Sequence, residues 1–185
     1  TRREFERALV SYAQPRIRPQ VRQTVLSRGS MLAYPCLRSQ AFDSLPSITP
    51  HDRAQRAHNA RNNRLARAIV DSLRDRRVGY KPGDISIDIN FVEASLRASA
   101  GDTTGAERQL DLVLDALPTV SALTVRDDGL AASLVGAMIL RGDRAWARRD
   151  SATARRWAGA VVDLWSGADA ALQPTVARMK TIAGR

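Results

Sequence analysis

The sequence predicts an all-α protein with antiparallel helical hairpins in its second half, a C-terminal capping helix, and an extended Arg-rich N-terminal arm. Three observations carry this. Apolar residues make up 44% of the chain but aromatics only 5%, so a core has to be built from Ala, Leu and Val, which suit closely packed helices. Beyond residue 88, apolar residues at helical spacing recur in paired segments separated by short polar turns. The first fifty positions are interrupted by Pro15, Pro19, Pro35, Pro46 and Pro50, each of which removes a backbone donor and discourages helix before it. A chain of 185 residues has room for one cored domain plus an arm. The expected division is an arm over 1–49, a basic helix and linker over 50–83, and a helical repeat domain over 84–185.

Within the arm, short helices fit Arg3–Ala13 and Gln20–Ser27, and Ser30 to Thr49 reads as extended connection. The next segment opens with a clear helix start. Thr49 suits the N-cap, Pro50 the first helical position, and Asp52 the first turn, where the helix dipole favours an acid. The helix is expected to run to about Arg77, with Ala54, Ala57, Leu65, Ala68, Ile69 and Leu73 inward and Arg53, Arg56, Arg64, Arg67 and Arg74 outward. Gly79 and Lys81-Pro82-Gly83 end it. Ile85, Ile87 and Ile89 alternate with polar residues in the manner of a strand, but a lone short strand has no partner, and they read as the lead-in to a helix beginning near Asp88.

From Asn90 to Leu117 the pattern is helix, tight turn, helix. Phe91, Ala94, Leu96 and Ala98 line the first helix, Gly101-Asp102 makes the turn, and Ala106, Leu110, Val113, Leu114 and Leu117 line the second, which Pro118 stops. Thr104 and Glu107 form a candidate capping box. Ala94 and Ala106 are small enough for two helices to cross closely. These spacings resemble a tetratricopeptide repeat, a family that places a small residue in the first helix, a Gly-Asp-type turn seven residues on, Ala a few residues into the second helix, a bulky residue four beyond it, and a final Pro. Ala94, Gly101-Asp102, Ala106, Leu110 and Pro118 match, with Phe91 one position from the family's early Trp. A second copy spans Met138 to Trp165, with Gly142 in the place of Ala94, Trp146 following, Arg149-Asp150 as the turn, and Ala154, Ala158 and Val162 in the second helix. The separation from Ala106 to Ala154 exceeds the family's period of about 34 residues, so Thr119 to Leu130 is expected to be a longer connection or extended helix. A short amphipathic helix starting at Asp169 or Gln173 and running through Ile182, with Leu172, Val176 and Met179 inward, reads as the cap.

The run Asp163-Leu-Trp-Ser-Gly-Ala-Asp169 also resembles the ends of helical-repeat regions attached to bacterial membrane-anchored serine/threonine kinases and transcriptional regulators. That resemblance covers about the last 95 residues. It implies a non-catalytic role and, because such repeats often follow a membrane span, the extracytoplasmic side of a membrane. The chain carries no glycine-rich nucleotide loop, catalytic-loop motif or metal-binding aspartate motif of a kinase.

Charge is distributed unevenly. Residues 1–81 hold sixteen Arg and Lys81 against six acids, a net of +11, whereas residues 82–185 have a net of −1. Such an imbalance fits an anionic partner for the first half, with Arg53, Arg56, Arg64, Arg67 and Arg74 as candidate contacts. Only two of the 29 basic residues are Lys. Arg provides a planar donor fork for carboxylates and phosphates, although a GC-rich genome produces the same ratio.

The remaining motifs carry little chemistry. His51 and His58 lie two helical turns apart, too far for a paired metal site on one helix. Cys36 has no neighbouring His, and a single Cys excludes an intrachain disulfide. Asp102-Thr-Thr-Gly105 has the short signature of an aspartic protease, which needs two copies in a β scaffold, so the turn reading prevails. Arg141-Gly-Asp143 spells an adhesion tripeptide but falls inside a predicted helix. The apolar stretch Leu130–Leu140 is about half of the ~20 residues a membrane-spanning helix needs. The chain starts at Thr1 without a signal-peptide pattern, as expected of a processed form or part of a longer polypeptide.

The expected function is a non-catalytic interaction or scaffold subunit of a larger, membrane-associated assembly. It needs no cofactor, metal or small-molecule substrate. Its partners are protein subunits and an anionic membrane surface, with nucleic acid ranked behind them because zinc-finger spacing, ribonucleoprotein motifs and helix-turn-helix signatures are all missing. The repeat-packing residues are Ala94, Gly101, Ala106, Leu110, Pro118, Gly142, Ala154 and Ala158.

Overall fold

A computed structural model describes residues 49–77, 86–119, 128–170 and 172–185. The expected arm, with its short helices and Cys36, lies outside the described residues apart from Thr49, as do the linker at 78–85 and most of the connection between Thr119 and Leu130. Every regular element among the described residues is helical. The chain divides into two compact units, Thr1–Ala106 and Glu107–Arg185.

The first unit opens with α1 (Pro50–Asn59). Thr49 caps it as the sequence predicts. Its hydroxyl accepts the Asp52 N–H at 3.1 Å while its own N–H donates to Asp52 Oδ2 at 2.7 Å, a reciprocal arrangement that satisfies two otherwise orphaned donors. The expected single helix to about Arg77 is corrected, because α1 ends at Asn59 and α2 (Asn63–Asp75) starts after a tight turn. Arg61 adopts φ 60 and the Asn62 side chain accepts the Leu65 N–H at 3.1 Å, so one residue reverses the chain and the next caps a new helix. Restarting the helix resets its phase. Ala66 and Val70 become the buried residues, while Leu65 and Ala68, expected inward, are exposed.

The third helix of this unit, α3 (Ile87–Ser99), packs on both α1 and α2. Its first residue is Ile87, so the alternating isoleucine segment enters the helix directly. Ile87, Phe91, Val92, Ala94 and Leu96 are buried, and so are Asn90, Glu93 and Arg97. Burial around most of the circumference explains why α3 reads as weakly amphipathic.

The border between the units falls inside α4 (Thr103–Asp115). The Thr104–Glu107 capping box is corrected. Asp102 is the cap, its Oδ1 accepting the Gly105 N–H at 3.1 Å, and Glu107 instead pairs with Arg148 at 2.5 Å. The cap moves because the left-handed residue is Gly101 (φ 86) and the position after it inherits the N-cap role. Helix α4 ends at Asp115, and Pro118 sits exposed in a short 3-10 turn, Leu117–Thr119.

In the second unit α5 (Asp128–Ala147) and α6 (Ser151–Trp165) form a hairpin, and α7 (Gln173–Ala183) packs mainly on α6. Pro174 falls in the first turn of α7, where its missing N–H costs nothing. Val176, Met179 and Ile182 form the buried stripe of α7, and Leu172 is only partly covered. The Arg141-Gly-Asp143 tripeptide lies within α5.

Candidate interaction surfaces

The same turn is built three times. In each, a left-handed residue is followed by an Asn or Asp that closes one helix and caps the next. The Asn62, Asp102 and Asp150 N–H groups donate to the carbonyls of Ala57, Arg97 and Ala145 at 2.7, 2.8 and 2.9 Å. The preceding Arg61, Gly101 and Arg149 N–H groups donate to His58, Ala98 and Trp146 at 2.8, 3.2 and 3.0 Å. This paired pattern is a Schellman closure. Each cap side chain then accepts the N–H three residues on, from Leu65, Gly105 and Thr153, all at 3.1 Å.

The recurrence extends into the flanking helices. Eight residues before each cap stands a small buried residue, Ala54, Ala94 or Gly142; four after it a buried Ala, Ala66, Ala106 or Ala154; eight after it Val70, Leu110 or Ala158, also buried. The space at Gly142 has room for one methyl at ordinary contact distance. A Cβ there would stand 3.5 Å from the Ala158 backbone N and 3.8 Å from the Ala154 carbonyl, so the backbones of α5 and α6 come close where small residues meet. Sequence reasoning found the second and third turns and missed the first, because Thr49 to Arg77 reads as one continuous helix with no Gly at Arg61, whereas the third turn, with Arg149 in the same place, aligns with the second. The spacing from Ala54 to Ala66, equal to those from Ala94 to Ala106 and Gly142 to Ala154, was the available signal.

Charged side chains are buried at the centre of the first unit. Glu93, on α3, is almost fully buried and accepts from Arg77 through both oxygens, at 2.5 and 3.1 Å. Its Oε1 also lies 2.8 Å from His51 Nε2. One turn on, the buried Arg97 guanidinium donates to Asp71 at 2.7 Å and to Asp102 at 2.9 Å. These two residues tie α3 to both helices of the preceding hairpin and to its own turn. Burial pushes the Asp102 carboxyl up, but the Arg97 guanidinium and the Gly105 N–H outweigh it and hold it below the ordinary carboxylate range. In the second unit Arg141 forks onto Asp111 at 2.6 and 3.2 Å, and Arg178 pairs with Asp143.

The five candidate anion-contacting arginines divide. Arg67 and Arg74 spend their charge within the chain, Arg67 at 3.8 Å from Asp102 and Arg74 against Asp75 at 2.9 Å and Asp71 at 3.8 Å. Arg56 is half-buried. Arg53 and Arg64 are exposed and hold no ion pair with any described residue.

The histidines are engaged locally. His51 belongs to the Glu93 cluster, and His58 Nδ1 meets Asn63 Oδ1 at 2.9 Å. Among the described residues no group of three or more His, Cys, Asp or Glu could hold a metal ion, and no helix is long and apolar enough to cross a membrane. No family model, curated protein or solved structure matches this chain.

Proposed function

We propose that this chain is a non-catalytic interaction module of tetratricopeptide type, a scaffold subunit whose helical hairpins present a surface to partner proteins within a larger assembly. The observation that supports it is the threefold turn, with small residues, left-handed residue, Asx cap and buried Ala at one spacing. A helical hairpin of this kind cannot bury its apolar face alone, and repetition lets each hairpin cover its neighbour. The caps are 40 and 48 residues apart, longer than the family's usual ~34, so the connections carry the extra length. Arg53 and Arg64, unpaired among the described residues, provide the anion-facing part of the surface, suited to an acidic protein or an anionic membrane.

The test is a gentle pull-down of the tagged chain from membranes and from soluble extract, at low and high salt and with nuclease. A defined set of proteins that withstands salt and nuclease, and is lost when the hairpin is broken by Ala106→Asp, supports the reading. Loss of all partners on nuclease treatment overturns it. The +11 carried by residues 1–81 favours one second reading, a basic protein associated with nucleic acid. It requires affinity that falls linearly in log–log terms with salt.

A further inference from the structure

Where α5 turns into α6, basic side chains are concentrated, four of them exposed. Residues 141–157 hold six Arg against two Asp, inside a half of the chain that is otherwise slightly acidic. The acids in reach are already engaged. Asp150 caps α6 through the Thr153 N–H, Asp143 meets Arg178, Asp111 holds Arg141, and Glu107 holds Arg148. Arg149 and Arg155 are exposed and pair with no acid among the described residues. One turn before Arg149 stands Trp146, 50% exposed, whose carbonyl accepts the Arg149 N–H at 3.0 Å. Trp146 and an Arg149 that pairs with no acid among the described residues therefore share one turn of backbone.

Arg149 holds φ 62, a conformation that costs an L-residue about 1 kcal/mol and Gly almost nothing. The equivalent position of the second turn is Gly101. The equivalent position of the first turn is Arg61, also left-handed at φ 60, so two of the three turns keep Arg at this place.

We propose that this end of the α5–α6 hairpin docks an acidic segment of a partner protein, with Arg149 and Arg155 taking carboxylates and Trp146 an apolar side chain beside them. The proposal rests on the interaction reading above and names the chemistry of one partner. Trp and Arg are the residue types that dominate the energetics of protein–protein contacts. A second copy of this chain is a poor occupant, because a net charge of +10 makes two copies repel. Nucleic acid fits less well. Nucleic-acid binders of strong salt dependence make roughly 6–10 phosphate contacts, whereas four arginines at this end pair with no acid among the described residues, and Trp146 is its one exposed ring for stacking.

The experiment uses the full chain labelled with nitrogen-15, following the indole N–H signals of its three tryptophans, with Trp146 assigned from Trp146→Phe. The probes are a short Glu-rich peptide with one central Leu and a short oligothymidylate. The peptide is expected to move the Trp146 signal by more than that of the buried Trp157, whose ring lies 4.4 Å under the exposed Arg156 guanidinium. In Arg149→Gly/Arg155→Gln the concentration needed for that shift rises about tenfold, the equivalent of about 1.4 kcal/mol, while the melting temperature stays at or above that of the parent. An unmoved Trp146 signal overturns the proposal, as does an unchanged titration in the double variant or a response to oligothymidylate alone. Should the salt-resistant complex be recovered equally well with the double variant, this docking end is wrong and the scaffold reading stands.

Discussion

Glu93 is the side chain on which the first unit most depends electrostatically. It sits among α1, α2 and α3 with Arg77 on both oxygens and His51 on one. Breaking a buried pair by removing one partner leaves an uncompensated charge and costs about 3–5 kcal/mol. Glu93→Gln, which keeps the shape and removes the charge, is therefore expected to lower stability by about 3 kcal/mol, measured by urea denaturation. A loss under about 1 kcal/mol would show that solvent reaches the cluster and screens it. Asp102 makes a prediction about pH. Its carboxyl lies below the ordinary range in the folded chain, so the folded state binds the proton more weakly than the unfolded one. The stabilisation is present above the unfolded value of about 3.9 and is lost as pH falls through the folded value. Asp102→Asn keeps the cap and removes the charge, so its melting temperature should fall less steeply below about pH 4 than that of the parent. Parallel acid limbs for the two proteins would refute this.

At the scale of elements, the three turns provide an internal comparison. Arg61 and Arg149 occupy the left-handed position that Gly101 fills in the second turn. Arg61→Gly and Arg149→Gly should each stabilise the fold by about 1 kcal/mol and Gly101→Ala should destabilise it by about the same, since only the backbone conformation differs. Nothing lies within 4 Å of a Cβ built on Gly101, so a larger loss there would have to come from elsewhere. Gly142 depends on space instead. Its neighbours on α6 stand at ordinary contact distance from a single Cβ, and Ala is the better helix former by about 1 kcal/mol. Gly142→Ala should therefore be neutral or stabilising. Gly142→Leu has to push α6 away and should cost about 1–3 kcal/mol, read as a shift in the denaturation midpoint.

At the scale of the whole molecule, α7 closes the second unit by covering α6 with Val176, Met179 and Ile182. Burying three such side chains contributes about 5 kcal/mol, comparable to the entire stability of a small domain. A chain ended before Gln173 should bind a hydrophobic dye and lose the cooperative thermal transition of the second unit. Retention of that transition would show that α7 is dispensable.

The all-helical class, the capped start at Thr49, the second and third turns and the stripe of α7 were all determined by the sequence alone. Each rests on interactions within about eight residues: Pro50 after Thr49, Gly101 before Asp102, and Val176 and Met179 at helical spacing, with Ile182 rather than the expected Leu172 completing the stripe. Tertiary structure decided what depends on distant partners. The break at Arg61 was hidden because the residues around it all tolerate helix and continue the apolar spacing, whereas Arg149, equally left-handed, lies in a segment that aligns with the Gly101 turn. Burial of Glu93 and Arg97 was equally invisible, since a charged residue enters a core only when a partner from another segment meets it. Glu93 and Arg77 are 16 residues apart, Arg97 and Asp71 26 apart, and no local pattern joins them. The separation of Arg67 and Arg74, which meet acids of the first unit, from Arg53 and Arg64, which hold no ion pair with any described residue, was decided in the same way, by which acid the fold brings alongside.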